Sequence, residues 1–343
     1  MKPHLERLAA YPYRKVEAPI KLDQNESPYD LPPELKERAL ARLRTLPWNR
    51  YPDMHAESVR AVVARGQDWP EEGVVLAPGS NFLVLALAQA ARQVLDTSPS
   101  FAYYEGAARL SGVSYRALRL GEGFALPLSG LQDGMGDPPG VLFLSNPHAP
   151  TGRLFPEAEV RRLAGRASER GWLLVVDEAY HSFSGSDHRP LARENGSVVL
   201  LRTFSKAWSL GGVRAGYLLG PPEVASKVQA LLPPFCVPAH TAAILEVVLA
   251  APEHVRGLAA ALAAERDRVF HALASHASWR ASPSAANFLL VRTPDAEAAW
   301  KGLLARGVLV RRQDHLPGLE GCLRVSVGTP AENDAFLEAA FAL

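Results

Sequence analysis

Cysteine is nearly absent from this chain, and the two that occur, Cys236 and Cys322, lack the paired spacing of a metal site. The ten histidines are scattered, with no His-x-x-x-His pair among them. This usage argues against zinc and suits a reducing compartment. We therefore expect a cytoplasmic protein that binds no metal.

An excess of charge and long apolar runs are also missing. The chain has 37 basic and 36 acidic side chains, a formal net charge of +1, so it lacks the electrostatic footprint of a nucleic-acid or acidic-membrane binder. No apolar run approaches the roughly 18 residues of a membrane helix. The first residues lack the apolar core of a signal peptide. We expect a soluble protein without nucleic-acid or membrane partners.

What is present is a large apolar fraction, 48% of 343 residues, enough for a core shared by two lobes. Short apolar runs alternate with helical patterns, which indicates a mostly parallel sheet with helices on both faces. Strands are predicted at 74–77, 141–145, 172–176, 198–201 and 216–219, with a crossover helix at 156–170. Residues 121–140, rich in Gly, Pro and Asp, are predicted as a surface loop.

The remaining patterns predict helices early in the chain and a smaller α+β lobe late in it. Helices are predicted at 33–46, 53–65 (capped by Asp53), 239–250, 253–275, 295–306 and the C-terminus, and strands at 287–291, 307–310 and 323–327. We expect an α/β protein with an N-terminal arm or part of the small lobe at 1–45, a large lobe at 46–250 and a small lobe at 251–343.

The segment around Lys206 carries the strongest chemical signal. Ser205 and Lys206 follow an apolar run, and Arg214 comes eight residues later between glycines. A lysine whose pKa is lowered by desolvation and a neighbouring cation can form a Schiff base with an aldehyde. Arg214 would be that cation, or a phosphate anchor beside Ser205. Aldehyde, lysine and phosphate together suggest pyridoxal phosphate, although one lysine alone fits a surface charge as well.

A second signal is the apolar run that ends in Asp177, with Tyr180 three residues later. Ligands of open α/β sheets bind outside the carboxyl ends of strands, where Asp177 would lie. A carboxylate there can keep a pyridine nitrogen protonated, so that the ring acts as an electron sink, and Tyr180 could reach the ring hydroxyl. The alternative, a nucleotide–magnesium site, needs a Gly-x-x-x-x-Gly-Lys-Ser/Thr loop, which the sequence lacks.

With these motifs the chain resembles the fold-type I, pyridoxal-phosphate-dependent aminotransferases, and it is most similar to their histidinol-phosphate aminotransferase subgroup. The matching motifs, in the family's order, lie at 22–28, 49–53, 78–81, 98–101, 146–152, 177–180, 203–206 and 322–329. The resemblance implies a large lobe with a mostly parallel mixed sheet and a smaller α+β lobe. It also implies that Lys206 carries the cofactor and shuttles the proton, that Asp177 pairs with the ring nitrogen, and that Tyr180 binds the ring oxygen.

Six further residues are implied to bind the cofactor. Ser80, Asn81, Ser205 and Arg214 would hold its phosphate, Phe101 would stack on its ring, and Tyr51 would reach the phosphate in a neighbouring subunit. Ser80 and Asn81 also open an apolar helical stretch, and a helix N-terminus favours anions. A core phenylalanine and an ordinary loop tyrosine remain alternatives for Phe101 and Tyr51. If Tyr51 serves a neighbour, the active unit is a homodimer with its sites at the interface.

For the substrates, the resemblance implies that Arg324 binds the carboxylate of the amino donor and also a substrate phosphate. Arg311 falls at the position of a second phosphate-binding arginine, with Arg312 as a competitor. Tyr13 and Asn25 fall where the family closes the substrate pocket. The implied partners are a small-molecule amino donor and an oxo-acid acceptor.

One position departs from the family pattern. Ala149 stands where many relatives have an asparagine that donates a hydrogen bond to the cofactor's ring oxygen. A neutral hydrogen bond contributes only about 0.5–1.5 kcal/mol, so cofactor binding should survive. The pKa of the cofactor linkage should rise without this donor. His148 is adjacent, although neighbouring side chains of an extended segment point in opposite directions.

The implied reaction is transamination between histidinol phosphate and 2-oxoglutarate in histidine biosynthesis. Two enzymes of the same scaffold remain alternatives, a threonine-phosphate decarboxylase-like lyase and an aromatic amino-acid aminotransferase. A pyridoxal-phosphate-binding regulator without catalytic activity is a third. Release of carbon dioxide would distinguish the first alternative, and indifference to the loss of Arg311 would distinguish the second.

Overall fold

The structure, a computed structural model, describes residues 3–6 and 15–343. Within them the strands are β1 (Ile20–Leu22), β2 (Val74–Ala77), β3 (Gln93–Ser98), β4 (Ser114–Arg119), β5 (Val141–Ser145), β6 (Leu173–Asp177), β7 (Val198–Thr203), β8 (Gly216–Leu219), β9 (Arg280–Ala281), β10 (Phe288–Arg292), β11 (Val308–Arg312) and β12 (Cys322–Ser326). The helices are α1 (Pro33–Arg44), α2 (Glu57–Gln67), α3 (Ser80–Ala90), α4 (Tyr103–Ser111), α5 (Leu128–Gly134), α6 (Glu157–Arg170), α7 (Arg189–Glu194), α8 (Pro222–Leu231), α9 (Ala239–Val248), α10 (Pro252–Leu273), α11 (Ala296–Ala305) and α12 (Pro330–Phe341).

The larger sheet has the strand order β2-β8-β7-β6-β5-β3-β4. Its neighbours pair in parallel except at β8, which runs antiparallel to both β2 and β7. Every residue of β5 is buried, as expected for a parallel strand covered on both faces. The predicted α/β class is confirmed. The five strands predicted for this lobe lie within two residues of their observed bounds.

Two apolar cores cover the two faces of this sheet. Along β5, Leu142 and Leu144 face one core, whereas Val141 and Phe143 face the other. This alternation follows from the two-residue period of a strand. Because the strands run in parallel, their carboxyl ends lie at the same edge of the sheet. The side chains that directly follow the apolar runs are therefore close together at that edge.

The smaller sheet has the order β1-β11-β12-β10-β9, and α10, α11 and α12 pack their apolar faces on it. Strand β1 pairs in parallel with β11, so the early part of the chain belongs to the small lobe here. Helix α1, by contrast, packs against α9. The arm predicted at 1–45 therefore contributes to both lobes, and the proposed boundaries at 45 and 250 stay a prediction.

Two local predictions were wrong. Residues 121–140 contain α5, whose Leu131 is fully buried beside Met135, and such a short helix gives little periodicity among its glycines. Asp53 is not the N-cap residue of α2, because the helix begins at Glu57 after Ala56 in a left-handed conformation (φ 52°). The Asp53 carboxylate nevertheless accepts the backbone N–H of Ser58, the second residue of the helix, at 3.3 Å.

No single helix in the described ranges is long and apolar enough to cross a membrane. Among the described helices, only α9 and α10 together reach such a length and apolar composition, and the chain bends by 81° between them.

Candidate active site

A cavity of about 540 Å³ lies where the parallel strands end and the smaller sheet faces the larger one. Its wall includes the last residues of β5, β6 and β7, which are Ser145, Asp177 and Thr203. The predicted site residues that line it are Asn25, Ser80, Asn81, Phe101, Asp177, Tyr180, Ser205, Lys206, Arg214, Arg311 and Arg324. The fold thus brings together residues that are as many as 299 positions apart, from 25 to 324.

Lys206 projects its amine into this cavity, where Nζ donates a hydrogen bond to the backbone carbonyl of Gln24 at 3.0 Å. Desolvation lowers the pKa of Lys206 to about 8, and the positive charge of Arg324 acts in the same direction. Arg214 contributes less than Arg324, and Glu26 opposes both. The cation that matters most is therefore Arg324 rather than the expected Arg214. A neutral amine is accessible at mildly alkaline pH.

Asp177 also lines the cavity, and both of its carboxylate oxygens are hydrogen-bonded. The hydroxyl of Tyr104 donates to Oδ2 at 2.7 Å, and the backbone N–H of Ala179 donates to Oδ1 at 3.0 Å. Burial raises the pKa of Asp177, and these two donors oppose that rise. Tyr104 was not predicted from the sequence. Its only signal is its position one helical turn after Phe101, at the start of α4.

The N-terminus of α3, at Ser80, is suited to bind an anion. The first N–H groups of a helix have no partner within the helix, and the helix dipole favours negative charge there. Gly79 (φ 93°) and Gly216 allow a close approach at this point. A Cβ on Gly79 would lie 2.7 Å from a guanidinium nitrogen of Arg214, and one on Gly216 would lie 2.5 Å from the backbone nitrogen of Ser80. Arg214 thus faces the helix N-terminus.

Arg311 and Arg324 are register partners on the neighbouring strands β11 and β12, and both line the cavity. The Nη2 of Arg324 donates to the carbonyl of Asp23 at 2.8 Å, and its guanidinium lies over the ring of Phe288 at 5.6 Å. Arg312 follows Arg311 in the strand and therefore faces away, since side chains alternate.

The competitor Arg312 is engaged elsewhere. It forms ion pairs with Asp314 at 2.7 Å and Glu297 at 3.3 Å, and it does not line the cavity. Gln313 and His315 line the cavity as well, and neither was singled out from the sequence. Gln313 directly follows β11 and His315 lies in the turn after it, so no periodic pattern in the sequence indicates them.

The region of Ala149 gives the cavity an apolar wall. Ala149 and Tyr180 belong to one buried apolar cluster. His148 does not line the cavity, because its ring is hydrogen-bonded to Thr97 at 3.1 Å and Thr151 at 2.8 Å. Burial lowers the pKa of His148 to about 3. His148 is therefore not placed to replace the missing amide.

The remaining predicted residues differ in where they lie relative to the cavity. Phe101 lines the cavity and meets Tyr104 edge to face, with ring centroids 5.4 Å apart. Tyr51 lies outside the cavity of its own chain, with 84% of its surface exposed, and stacks on Phe235 at 4.9 Å. Tyr13 lies outside the described residues. Within the described ranges, no group of three His, Cys, Asp or Glu side chains could hold a metal ion.

Comparison with known proteins identifies the family. The profile of the aminotransferase class I and II family matches residues 17–339. A histidinol-phosphate aminotransferase of Deinococcus radiodurans is 46% identical over 340 residues, which cover 98% of this chain and 94% of that protein. One of Thermococcus kodakarensis is 38% identical, covering 96% and 94%. This chain belongs to the class I and II aminotransferases.

Solved structures of other proteins share the aminotransferase fold. A histidinol-phosphate aminotransferase from Sinorhizobium meliloti, in complex with pyridoxal-5'-phosphate, superposes with a TM-score of 0.89 at 22% identity, covering 100% of this chain and 96% of that one. An L-threonine-O-3-phosphate decarboxylase from Porphyromonas gingivalis gives 0.80 at 23% identity, covering 93% and 98%. Likeness at this level of identity establishes the fold alone.

The class I and II aminotransferases are enzymes that depend on pyridoxal phosphate. The residues of the cavity fit that group. Lys206 offers an amine with a lowered pKa for the aldehyde, and Asp177 offers a buried carboxylate for the ring nitrogen. The N-terminus of α3 is suited to a phosphate, and Arg214 can lie close to it because Gly79 has no side chain.

Proposed function

We propose that this aminotransferase exchanges the amino group between histidinol phosphate and 2-oxoglutarate, a step of histidine biosynthesis. The observation that carries the proposal is the side-by-side placement of Arg311 and Arg324 in the cavity that holds Lys206. Guanidinium groups bind phosphate and carboxylate through paired hydrogen bonds. Two adjacent guanidiniums therefore suit a phosphorylated donor and a dicarboxylic acceptor that take turns in one site.

Three residues perform the chemistry in this proposal. Pyridoxal phosphate, when bound, supplies an electron sink that stabilises negative charge at the substrate α-carbon. The amine of Lys206 would hold the cofactor covalently and, when free, would take the proton from that α-carbon and deliver it to the aldehyde-derived carbon of the cofactor. The Asp177 carboxylate keeps the ring nitrogen protonated, with Tyr104 and Ala179 holding it in place. Tyr180 donates its hydroxyl proton to the ring oxygen.

The other lining residues position the cofactor and the substrates. The backbone amides of Ser80 and Asn81, with Ser205 and Arg214, hold the phosphate, while Phe101 stacks on the ring. Arg324 binds the carboxylate and Arg311 the substrate phosphate. Tyr13 and Asn25 close the pocket over the substrate, as the resemblance implies.

We also propose a homodimer in the cytoplasm. Three large side chains that are close in sequence are exposed, Trp48 at 89%, Tyr51 at 84% and Met54 at 46%. Exposed large apolar side chains, where they form a patch, are typical of an interaction surface. A second subunit that covers these side chains would receive the Tyr51 hydroxyl at its cofactor phosphate. Two free cysteines, Cys236 and Cys322, suit a reducing compartment.

The substrate proposal is tested by replacing Arg311 and, as a matched control, Arg312. We expect Arg311→Ala to raise the KM for histidinol phosphate roughly ten- to a hundredfold, because hydrogen bonds to charged groups contribute about 1.5–3 kcal/mol. Arg312→Ala should leave that KM nearly unchanged. Steady-state kinetics with histidinol phosphate and with phenylalanine as donors gives both values.

Two outcomes would contradict the proposal. Equal use of phenylalanine, with no effect of Arg311→Ala, would indicate an aromatic amino-acid aminotransferase. Release of carbon dioxide without consumption of 2-oxoglutarate would indicate a decarboxylase.

A further inference from the structure

The side chain of Asn25 is buried and directed at the hydroxyl of Tyr180. Asn25 is 1% exposed and Tyr180 is 7% exposed. The Nδ2 of Asn25 donates to the Tyr180 oxygen at 2.9 Å. Asn25 adopts a left-handed conformation (φ 53°), which asparagine tolerates better than most residues. The backbone conformation of Asn25 and the hydrogen bond of its side chain both orient the amide toward Tyr180.

Hydrogen bonds around Asn25 fix which end of the amide faces Tyr180. The Oγ of Ser326 accepts the backbone N–H of Asn25 at 2.8 Å, and it donates its own proton to Oδ1 of Asn25 at 3.1 Å. Turning the amide over would remove this acceptor for the Ser326 proton. The network thus places Oδ1 at Ser326 and the donor Nδ2 at Tyr180. The carbonyl of Asn25 is held too, by Nδ2 of Asn287 at 3.2 Å.

This direction determines where the proton of Tyr180 can go. A phenol has one proton to donate and accepts through its oxygen. Because the Tyr180 oxygen accepts from Asn25, its proton is donated to an acceptor other than Asn25. Ala149, in the same apolar cluster, offers no side-chain donor to that region of the cavity.

We propose that Asn25 is a positioning residue that directs the Tyr180 proton to the ring oxygen of the bound cofactor. In this chain the Asn25–Tyr180 pair, rather than a side-chain amide at position 149, lowers the pKa of the cofactor's covalent linkage. The inference rests on the proposed function, because it takes Tyr180 to be the residue at the ring oxygen. Asn25 acts through Tyr180 and need not touch the cofactor.

The test is the substitution Asn25→Asp, which keeps the shape but turns the donor into an acceptor. The carboxylate would attract the Tyr180 proton away from the cofactor. We expect the pH midpoint of the visible absorbance of the bound cofactor to rise by roughly one unit, the size expected from one lost hydrogen bond. Ser326→Ala, which adds no charge, should produce a smaller rise in the same direction. Asn195→Asp, outside the cavity, controls for the added charge.

A double-substitution cycle separates positioning from a general structural effect. If Asn25 acts through Tyr180, Asn25→Asp should shift the midpoint little further in a Tyr180→Phe background. Additive shifts would overturn the inference. Unchanged midpoints in both Asn25→Asp and Ser326→Ala, in protein that retains the cofactor, would overturn it too.

Failure of this inference is distinguishable from failure of the proposed function. Wild-type protein that converts histidinol phosphate while Asn25→Asp leaves the midpoint unchanged refutes only the role of Asn25. Wild-type protein that forms no coloured complex with pyridoxal phosphate refutes both. Should Asn25→Asp fail to fold, Ser326→Ala and its cycle with Tyr180→Phe decide the question by the same spectroscopic readout.

Discussion

At the scale of single residues, the reactivity of Lys206 depends on a lowered pKa. Desolvation and Arg324 lower it to about 8, and only the neutral amine attacks an aldehyde. The neutral fraction rises as the pH rises through the pKa. We therefore expect the rate at which cofactor-free enzyme combines with pyridoxal phosphate to rise with pH, with a midpoint near 8. Stopped-flow absorbance measures this rate.

Arg324 provides the control for that experiment. Arg324→Met removes the nearby positive charge and should move the midpoint upward, toward the ordinary value of 10.5. Arg324→Lys should move it less. Lys206→Met should give no coloured complex at all. A wild-type midpoint close to 10.5 would contradict the argument, because it would place the amine in a solvated environment.

Position 149 allows a second residue-scale prediction. Ala149→Asn would supply a donor to the ring oxygen from the cavity wall. We expect it to lower the pH midpoint of the bound cofactor's absorbance by roughly half to one unit, since one hydrogen bond is gained by the deprotonated form. Ala149→Leu has a similar volume without a donor and should not lower the midpoint. Equal shifts in both variants would point to packing instead.

The site residues that could be predicted most directly from the sequence are charged side chains that lie in an apolar run or follow one. Lys206, Asp177 and Arg324 follow or lie in apolar runs, and the structure places all three in one cavity. Tyr104 was missed because its bond to Asp177 spans 73 positions and depends on how α4 packs on the sheet. Only the strand register distinguishes Arg311 from Arg312 as the partner of Arg324, and the spacing of residues in the sequence does not reveal that register.

At the scale of secondary structure, a buried ion pair joins the end of β6 to β7. Glu178 is completely buried and Arg202 is 2% exposed, with Nε to Oε2 at 2.7 Å. Burial alone would raise the pKa of Glu178, but the charge of Arg202, together with a hydrogen bond to His188, brings it down to about 2. This folded-state pKa lies below the ordinary 4.5. The pair's contribution to stability is therefore present above pH 4.5 and is lost as the pH falls toward 2.

Removing Arg202 would leave the Glu178 charge buried without this partner. We expect Arg202→Met to lower the free energy of unfolding by about 3–5 kcal/mol at neutral pH. The exposed pair Arg109–Glu105 is a suitable control, and Arg109→Met should cost about 0–1 kcal/mol. Urea denaturation of both variants makes the comparison. Similar losses of unfolding free energy in the two variants would mean that burial does not determine how much an ion pair contributes to stability.

Strands were predicted where the chain has an uninterrupted apolar run, whatever their place in the sheet. The edge strand β2 was predicted at its observed bounds, whereas the interior strand β3, whose buried residues include Asp96 and Thr97, was not recognised. Strands β5 to β8 are apolar runs covered on both faces, so composition alone indicates them. The edge strand β4 alternates between exposed and half-buried residues and carries two arginines, and it was not recognised. Helix α5 was read as a loop because few of its residues reach the core.

At the scale of the whole molecule, the active site exists only because two lobes and distant segments meet. The large lobe contributes Lys206 and Asp177, and the small lobe contributes Arg324. Tyr51 is the exception, since it is exposed and does not line the cavity of its own chain. Its predicted role therefore requires a second copy, and in that role it would make cofactor affinity depend on dimer formation.

Tyr51→Phe removes only the hydroxyl and keeps the ring that stacks on Phe235. Because hydrogen bonds to charged groups contribute about 1.5–3 kcal/mol, we expect the dissociation constant for pyridoxal phosphate to rise roughly ten- to a hundredfold. Equilibrium dialysis measures this constant. Tyr29→Phe removes a hydroxyl from another exposed tyrosine and should leave it unchanged.

Mixing subunits tests whether Tyr51 acts on the neighbouring site. Lys206→Ala subunits cannot form the covalent link to the cofactor, and Tyr51→Phe subunits should bind it weakly. In a mixed dimer, the site with an intact Lys206 receives Tyr51 from the Lys206→Ala subunit. A class of tight, coloured sites should therefore emerge on mixing that neither variant shows alone. If no such class forms after subunit exchange, or if sedimentation finds only monomers, Tyr51 does not act between subunits.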